Sequence, residues 1–183
     1  MSGNVENDRS WRGNRWRVLG WGTAALMLLL PLIAMQFTDE VNWAVSDFIV
    51  FGVMLGVVGG IFELAARLTP NRAYRAAVGV ALAAAFILVW VNGAVGIIGN
   101  EGNPANLVYA GVLAVAVIGA VIARSRPGAM ARVMVATAIA QALVAVIVLL
   151  TGLGNILVVT GFFVALWLIS AWLFKKSSKE ASQ

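Results

Sequence analysis

Apolar residues fall into six long runs along the chain, each bounded by a short polar segment. The runs cover residues 18–37, 46–67, a third ending at about residue 98, 105–123, a fifth ending at about 150 and a sixth reaching 174. A run of about 20 apolar residues is long enough to cross a bilayer as one helix, which predicts six spans. Local punctuation agrees with these limits. Ser46 or Asp47 can cap the second helix, and Thr69, Pro70 and Asn71 separate the second from the third. Asn103 and Pro104 read as N-cap and first helical position of the fourth. Arg124, Arg126, Pro127 and Arg132 bracket the turn into the fifth, and residues 151–155 make a tight uncharged turn into the sixth. Pro31 should kink the first span, because it removes a helical hydrogen bond.

The second run, SDFIVFGVMLGVVGGIFELAAR, carries an ionisable residue well inside it. At helical periodicity Gly52, Gly56, Gly59, Gly60 and Glu63 share one face, with Arg67 on the same side. Small residues at this spacing predict a packing face for another helix, since in lipid close approach replaces the hydrophobic drive. The first run resembles a secretory leader behind basic residues. It is expected to be retained, because about 20 apolar residues exceed a signal-peptide core and IAMQF lacks a small-residue cleavage pattern.

Composition sharpens the class: 61% hydrophobic residues, 11% charged residues and a mean hydropathy of +0.91 leave too little polar surface for a soluble domain. The net charge of +5 is scattered among short segments rather than gathered in a patch, so nucleic acid is not an expected partner. All 13 Lys and Arg fall in the N-terminal segment, in the segments after the second and fourth runs, and in the C-terminal segment. The alternate loops hold Asp39, Glu40 and Glu101 and no base. Because Lys and Arg accumulate on the cytoplasmic side, this pattern predicts a bacterial inner-membrane protein with both termini cytoplasmic. Trp16, Trp21, Tyr74 and Trp172 near the inner ends, and Trp43 and Tyr109 near the outer ends, fit the same registration. The expected organisation is a polar N-terminal tail (1–17), a six-helix transmembrane domain (18–174) and a polar C-terminal tail (175–183). The fold class is therefore all-α, a polytopic membrane helix bundle.

A shift of about 59 residues places Asp47 on Asn106, Gly52 on Gly111, Val53 on Val112 and Gly60 on Gly119. That alignment raises a parallel helix-hairpin repeat, although Ala, Gly and Val dominate both copies.

The chain has no Cys and no His, which removes disulfides, thiolate nucleophiles, Cys- or His-ligated metals and the commonest general base. No phosphate-binding loop or dinucleotide fingerprint occurs, and the lysines all lie in the C-terminal segment, away from any Schiff-base position. Neither an enzyme nor a cofactor is expected. Three polar constellations remain. Glu63 and Arg67 stand one turn apart, acid before base, either as an ion pair fixing helix register or as a proton or cation site. Asp39, Glu40, Asp47, Asn92, Asn100, Glu101, Asn103, Asn106 and Asn155 would share the outer face, where oxygen ligands suit hard cations but show no cage spacing. Thr137 and Gln141, one turn apart in the fifth run, together with Asn92, serve either interhelical hydrogen bonding or a polar path.

The spacing in FELAAR matches half of the EExxxR motif of CAAX-type membrane proteases, but Phe62 stands where that family has glutamate. The phrases VNWAVSDF and WVNGAVGIIGNEGNPANL, with the arginine-ended helices, resemble those of small bacterial inner-membrane proteins with six predicted helices. The resemblance implies topology and location and no activity. Together these features lead to a non-enzymatic lipid-embedded protein acting through helix packing, as a homo-oligomer or an accessory subunit of a membrane complex. The rival is a small transporter or channel for a cation, proton or small solute that uses Glu63.

Overall fold

A computed structural model describes residues 3–153 and 156–182, with side chains from residue 17 onward. Asn155 and the side chains of Arg9, Trp11, Arg12, Arg15 and Trp16 lie outside the described residues. The described chain forms α1 (Gly3–Ala34), α2 (Val45–Leu68), α3 (Arg72–Ala94), a 3-10 turn at Pro104–Leu107, α4 (Val108–Ala123), α5 (Pro127–Leu150) and α6 (Leu157–Glu180). Among the described residues six helices are long and apolar enough to cross a membrane, as the six runs predict, and no strand occurs.

Three boundaries differ from the sequence reading. Helix α1 starts at Gly3 rather than near residue 18, so the polar N-terminal segment continues the span as helix. Adding residues to an existing helix needs no new nucleus, which favours such an extension. Helix α6 likewise runs to Glu180 through the segment read as a tail. Ser177 is buried there, one turn after buried Phe174, and Asn71 Nδ2 donates to Glu180 Oε2 at 3.0 Å. Helix α3 stops at Ala94 instead of residue 98. Gly96 follows with φ of +75°, in the left-handed region, and a Cβ there would overlap the backbone of Asn100.

The chain divides into two compact units, Met1–Leu64 and Ala65–Gln183. In the first, α1 meets α2 through long side chains laid on glycine. The position a Cβ would take on Gly52 is 3.8 Å from Leu28, and that on Gly59 is 3.2 Å from Trp21. Helix α2 starts with half a capping box, the carboxylate of Asp47 accepting the Ala44 N–H at 2.8 Å. Trp43 packs against Phe48 and Phe51, with ring centroids 5.1 and 5.4 Å apart.

The second unit is a four-helix assembly in which α5 packs between α4 and α6, and α6 packs in turn on α3. Its antiparallel registers are fixed by particular contacts. Gly128 of α5 faces Ser178 of α6, and Gly119 of α4 faces Val133 of α5. Ser170 of α6 donates to the Ala77 carbonyl of α3 at 2.9 Å, and Tyr74 packs edge-on against Phe174. Fully buried Trp167, Tyr109, Phe163, Phe174 and Leu88 fill the interior, while Ala77, Ala84, Ala138 and Ala145 let the helices approach. The glycine pairs of the sequence repeat differ in setting: Gly119 is pressed on Val133, whereas nothing lies within 4 Å of a Cβ placed on Gly60.

One end of this second unit collects Arg72, Arg75, Arg124, Arg126, Arg132 and the lysines of α6. Here Asn71 caps α3 by accepting the Tyr74 N–H at 2.9 Å, and Arg75 donates to the carbonyls of Ala66 and Thr69 at the end of α2. The opposite end, the loop end, is held by buried Asn106. Its Oδ1 accepts the N–H groups of Ile97 and Ile98 at 3.1 and 2.8 Å, and its Nδ2 donates to the carbonyls of Ile98 and Asn100. One side chain thereby replaces the backbone bonds lost where α3 ends. Two predictions follow from this end. Asn106→Leu leaves buried donors unmet, each worth about 1–3 kcal/mol, and should destabilise the fold by at least ~2 kcal/mol in SDS-titration unfolding. Gly96→Ala should destabilise by a similar amount in the same assay, whereas Gly93→Ala, with open space around its Cβ position, should be neutral or stabilising.

Candidate functional site

Glu63 is the polar centre of the first unit. Helix α2 brings Gly59 and Glu63 one turn apart on a face that meets Arg17 and Trp21, themselves one turn apart on α1. Arg17 Nη2 lies 2.7 Å from Glu63 Oε1, and Trp21 Nε1 donates to Glu63 Oε2 at 3.3 Å. Trp21 can reach across because Gly59 offers no side chain beneath its ring. Both carboxylate oxygens are thus engaged by α1, which makes the arrangement a clamp joining the two helices. The Glu63 side chain is about one-fifth exposed (19%) and Arg17 is 56% exposed. So open a pair is worth no more than about 1 kcal/mol, and its value lies in fixing the register of α1 on α2.

The sequence reading gave Glu63 an i+4 partner, Arg67, which is exposed one turn further along α2. It did not bring Arg17 or Trp21 to the carboxylate. The available signal was their shared level: a basic residue and an indole at the start of one span, and an acid one turn before the end of the next. Of the glycine face, Gly52 and Gly59 receive α1 side chains, whereas Cβ positions on Gly56 and Gly60 have nothing within 4 Å.

Asn92, Thr137 and Gln141 belong to the second unit. Asn92 Nδ2 donates to the Asn106 carbonyl at 3.2 Å, tying the end of α3 to the turn before α4. Thr137, fully buried, donates to the Val133 carbonyl of its own helix at 2.9 Å and makes the intrahelical bond common for threonine. Gln141, one turn on, is also fully buried, and neither its Oε1 nor its Nε2 has a hydrogen-bond partner among the described groups.

Of the acidic and amide residues expected at the outer face, Asp47, Asn92, Asn103 and Asn106 serve local structure. Asp47 reaches back to Ala44, Asn103 accepts the Ala105 N–H at 2.9 Å, and Asn106 closes its loop. Among the described residues no three acidic side chains form a group able to hold a metal ion.

A double-mutant cycle on Arg17→Gln and Glu63→Gln, measured by SDS-titration unfolding, should return a coupling of about 0.5–1 kcal/mol. The charge-swapped pair Arg17→Glu with Glu63→Arg should recover part of the loss. Comparison with known proteins adds no relative: no family model, curated protein or solved structure matches the chain. Six helices of membrane-spanning length and apolarity among the described residues make this a multi-pass integral membrane protein.

Proposed function

We propose that this protein works by association within a bacterial inner membrane, as a homo-oligomer or an accessory subunit of a membrane complex, without catalysing a reaction. The observation that supports this reading is the half-filled glycine face of α2. Leu28 and Trp21 occupy Gly52 and Gly59, yet Gly56 and Gly60 on the same face present bare backbone. Flexible acyl chains gain little from such a notch, whereas a ridge from a neighbouring helix gains close dispersion contact along it. The clamp at Glu63 supports the same reading over an ion path through that residue, because both oxygens already bind groups of α1. The one-sided distribution of bases supports cytoplasmic termini.

Blue native electrophoresis in mild detergent, together with crosslinking in native membranes, should show a species larger than the monomer. Gly56→Leu should break it up without lowering the unfolding midpoint, since among the described residues nothing lies within 4 Å of its Cβ position. A solitary monomer in both assays would overturn the proposal. For orientation, a cysteine replacing Gly102 should react with an impermeant maleimide from the periplasmic side alone.

A further inference from the structure

The basic end of the second unit spends only part of its charge within the protein. Arg75 is taken by the carbonyls of Ala66 and Thr69, and Lys176 lies over the Trp172 ring, 5.8 Å from its centroid. The exposed side chains of Arg132, Lys175 and Lys179 have no hydrogen-bond or ion-pair partner among the described residues. The acidic residues of this unit are Glu101, at the loop end, and Glu180, which Asn71 holds. Sidedness in a membrane requires only that bases flank the spans on one side, and it does not require them to converge. These three converge.

Helix register brings them together. A Cβ on Gly128 of α5 would lie 3.4 Å from Ser178 Oγ of α6, so in this antiparallel pair Lys175 stands level with Ala131, about 1.5 Å along the axis from Arg132. At about 100° per residue, Lys175, Lys179 and Trp172 follow Ser178 round α6 at about 60°, 100° and 120°, whereas buried Phe174 and Ser177 lie on the other side of it. On α5, Arg132, Val135 and Ile139 stay within about 40° of Gly128, and buried Met134, Ala138 and Gln141 are turned about 80–140° away. Because the two helices run in opposite senses, both exposed rows fall on the same outer side of the α5–α6 seam. Glu180 is turned from that side toward α3, where Asn71 binds it.

The order of chemistry along the seam is that of a lipid. Three cations stand at its basic end, exposed Trp172 comes next, and exposed Val135, Leu168 and Ile139 continue toward the middle of the helices. Packed helix axes about 8–10 Å apart leave a phosphate over the seam within reach of long side chains from both. Tryptophan favours the level at which headgroups give way to acyl chains. A zwitterionic headgroup would bring its own cation against the three bases, whereas an anionic one supplies only the charge they lack. We propose that the outer side of the α5–α6 seam is a binding site for an anionic phospholipid. Arg132, Lys175 and Lys179 hold its phosphate, and its acyl chains lie along Val135, Leu168 and Ile139 below Trp172.

Native mass spectrometry of the full chain in mild detergent, titrated with phosphatidylglycerol or phosphatidylcholine, reads the site. Phosphatidylglycerol should bind about tenfold more tightly, and the triple variant Arg132→Gln, Lys175→Gln, Lys179→Gln should lose that advantage. A control triple, Arg72→Gln, Arg124→Gln, Arg126→Gln, removes the same charge from elsewhere at this end and should lose less than about twofold. In vesicles, phosphatidylglycerol brominated in its acyl chains should quench tryptophan fluorescence more than brominated phosphatidylcholine at equal content, and Trp172→Phe should remove most of the difference. Equal losses in the two triple variants would overturn the site and leave only diffuse charge. Displacement of phosphatidylglycerol by inorganic phosphate, beyond that caused by chloride at equal ionic strength, would overturn lipid as the occupant. So would an oligomer that the first triple variant dissolves with no change in bound lipid. Should that variant fail to fold, Arg132→Gln and Lys175→Gln carry the test singly, each weakening phosphatidylglycerol binding several-fold, and no loss in either would overturn the proposal.

Discussion

A polar group moved from water into apolar surroundings must find a partner, and the described structure can be read as the set of answers to that demand. Helices answer it for most of the backbone. Where a helix stops, a side chain takes over: Asn71 at the start of α3, Asp47 at the start of α2, Arg75 at the end of α2 and Asn106 after α3. The Asn106 amide satisfies two N–H groups and two carbonyls in the loop between α3 and α4. The same demand exposes Gln141 as an exception, a residue with full hydrogen-bonding capacity in a region where such capacity is normally consumed.

The two units meet the demand with different materials. In Met1–Leu64, a carboxylate is neutralised by a guanidinium and an indole from the neighbouring helix, and glycine makes room for the reach. In Ala65–Gln183, neutral side chains dominate the interior, and alanine and glycine set helix spacing while aromatic rings fill the volume. A charged clamp tolerates partial exposure near a helix end, whereas an interior sealed from solvent tolerates only neutral groups.

Span number, the cap at Asn103 and the turn at Pro127 were legible in the sequence because long apolar runs and proline or asparagine punctuation report on local energetics alone. The early end of α3 was not. Residues 95–98 read as apolar helix, and their departure depends on Gly96 in the left-handed region and on Asn106, which approaches only in the folded state. The helical ends of α1 and α6 were missed for the opposite reason, since polar composition was read as a tail although no proline interrupts either segment. At the candidate site, Glu63 was visible as a charge inside a span, but its partners are 42 and more residues away in α1, beyond what helical spacing can reveal. Gln141 was visible as a polar residue in α5. That its amide lacks a partner among the described groups is a property of the helices packed against α5, so one helix's periodicity could not show it.

The end of α6 bears on how the protein is made. Asn71, which caps α3, is bonded to Glu180 across 109 positions, and Ser170 is bonded to Ala77 across 93. Since α6 is synthesised after α4 and α5, α3 must wait in the bilayer for its main neighbour until both have been made. Ribosome stalling or termination before α6 is complete would therefore leave α3 without the surface it packs on, and quality-control proteases would meet a span already inserted but not yet assembled.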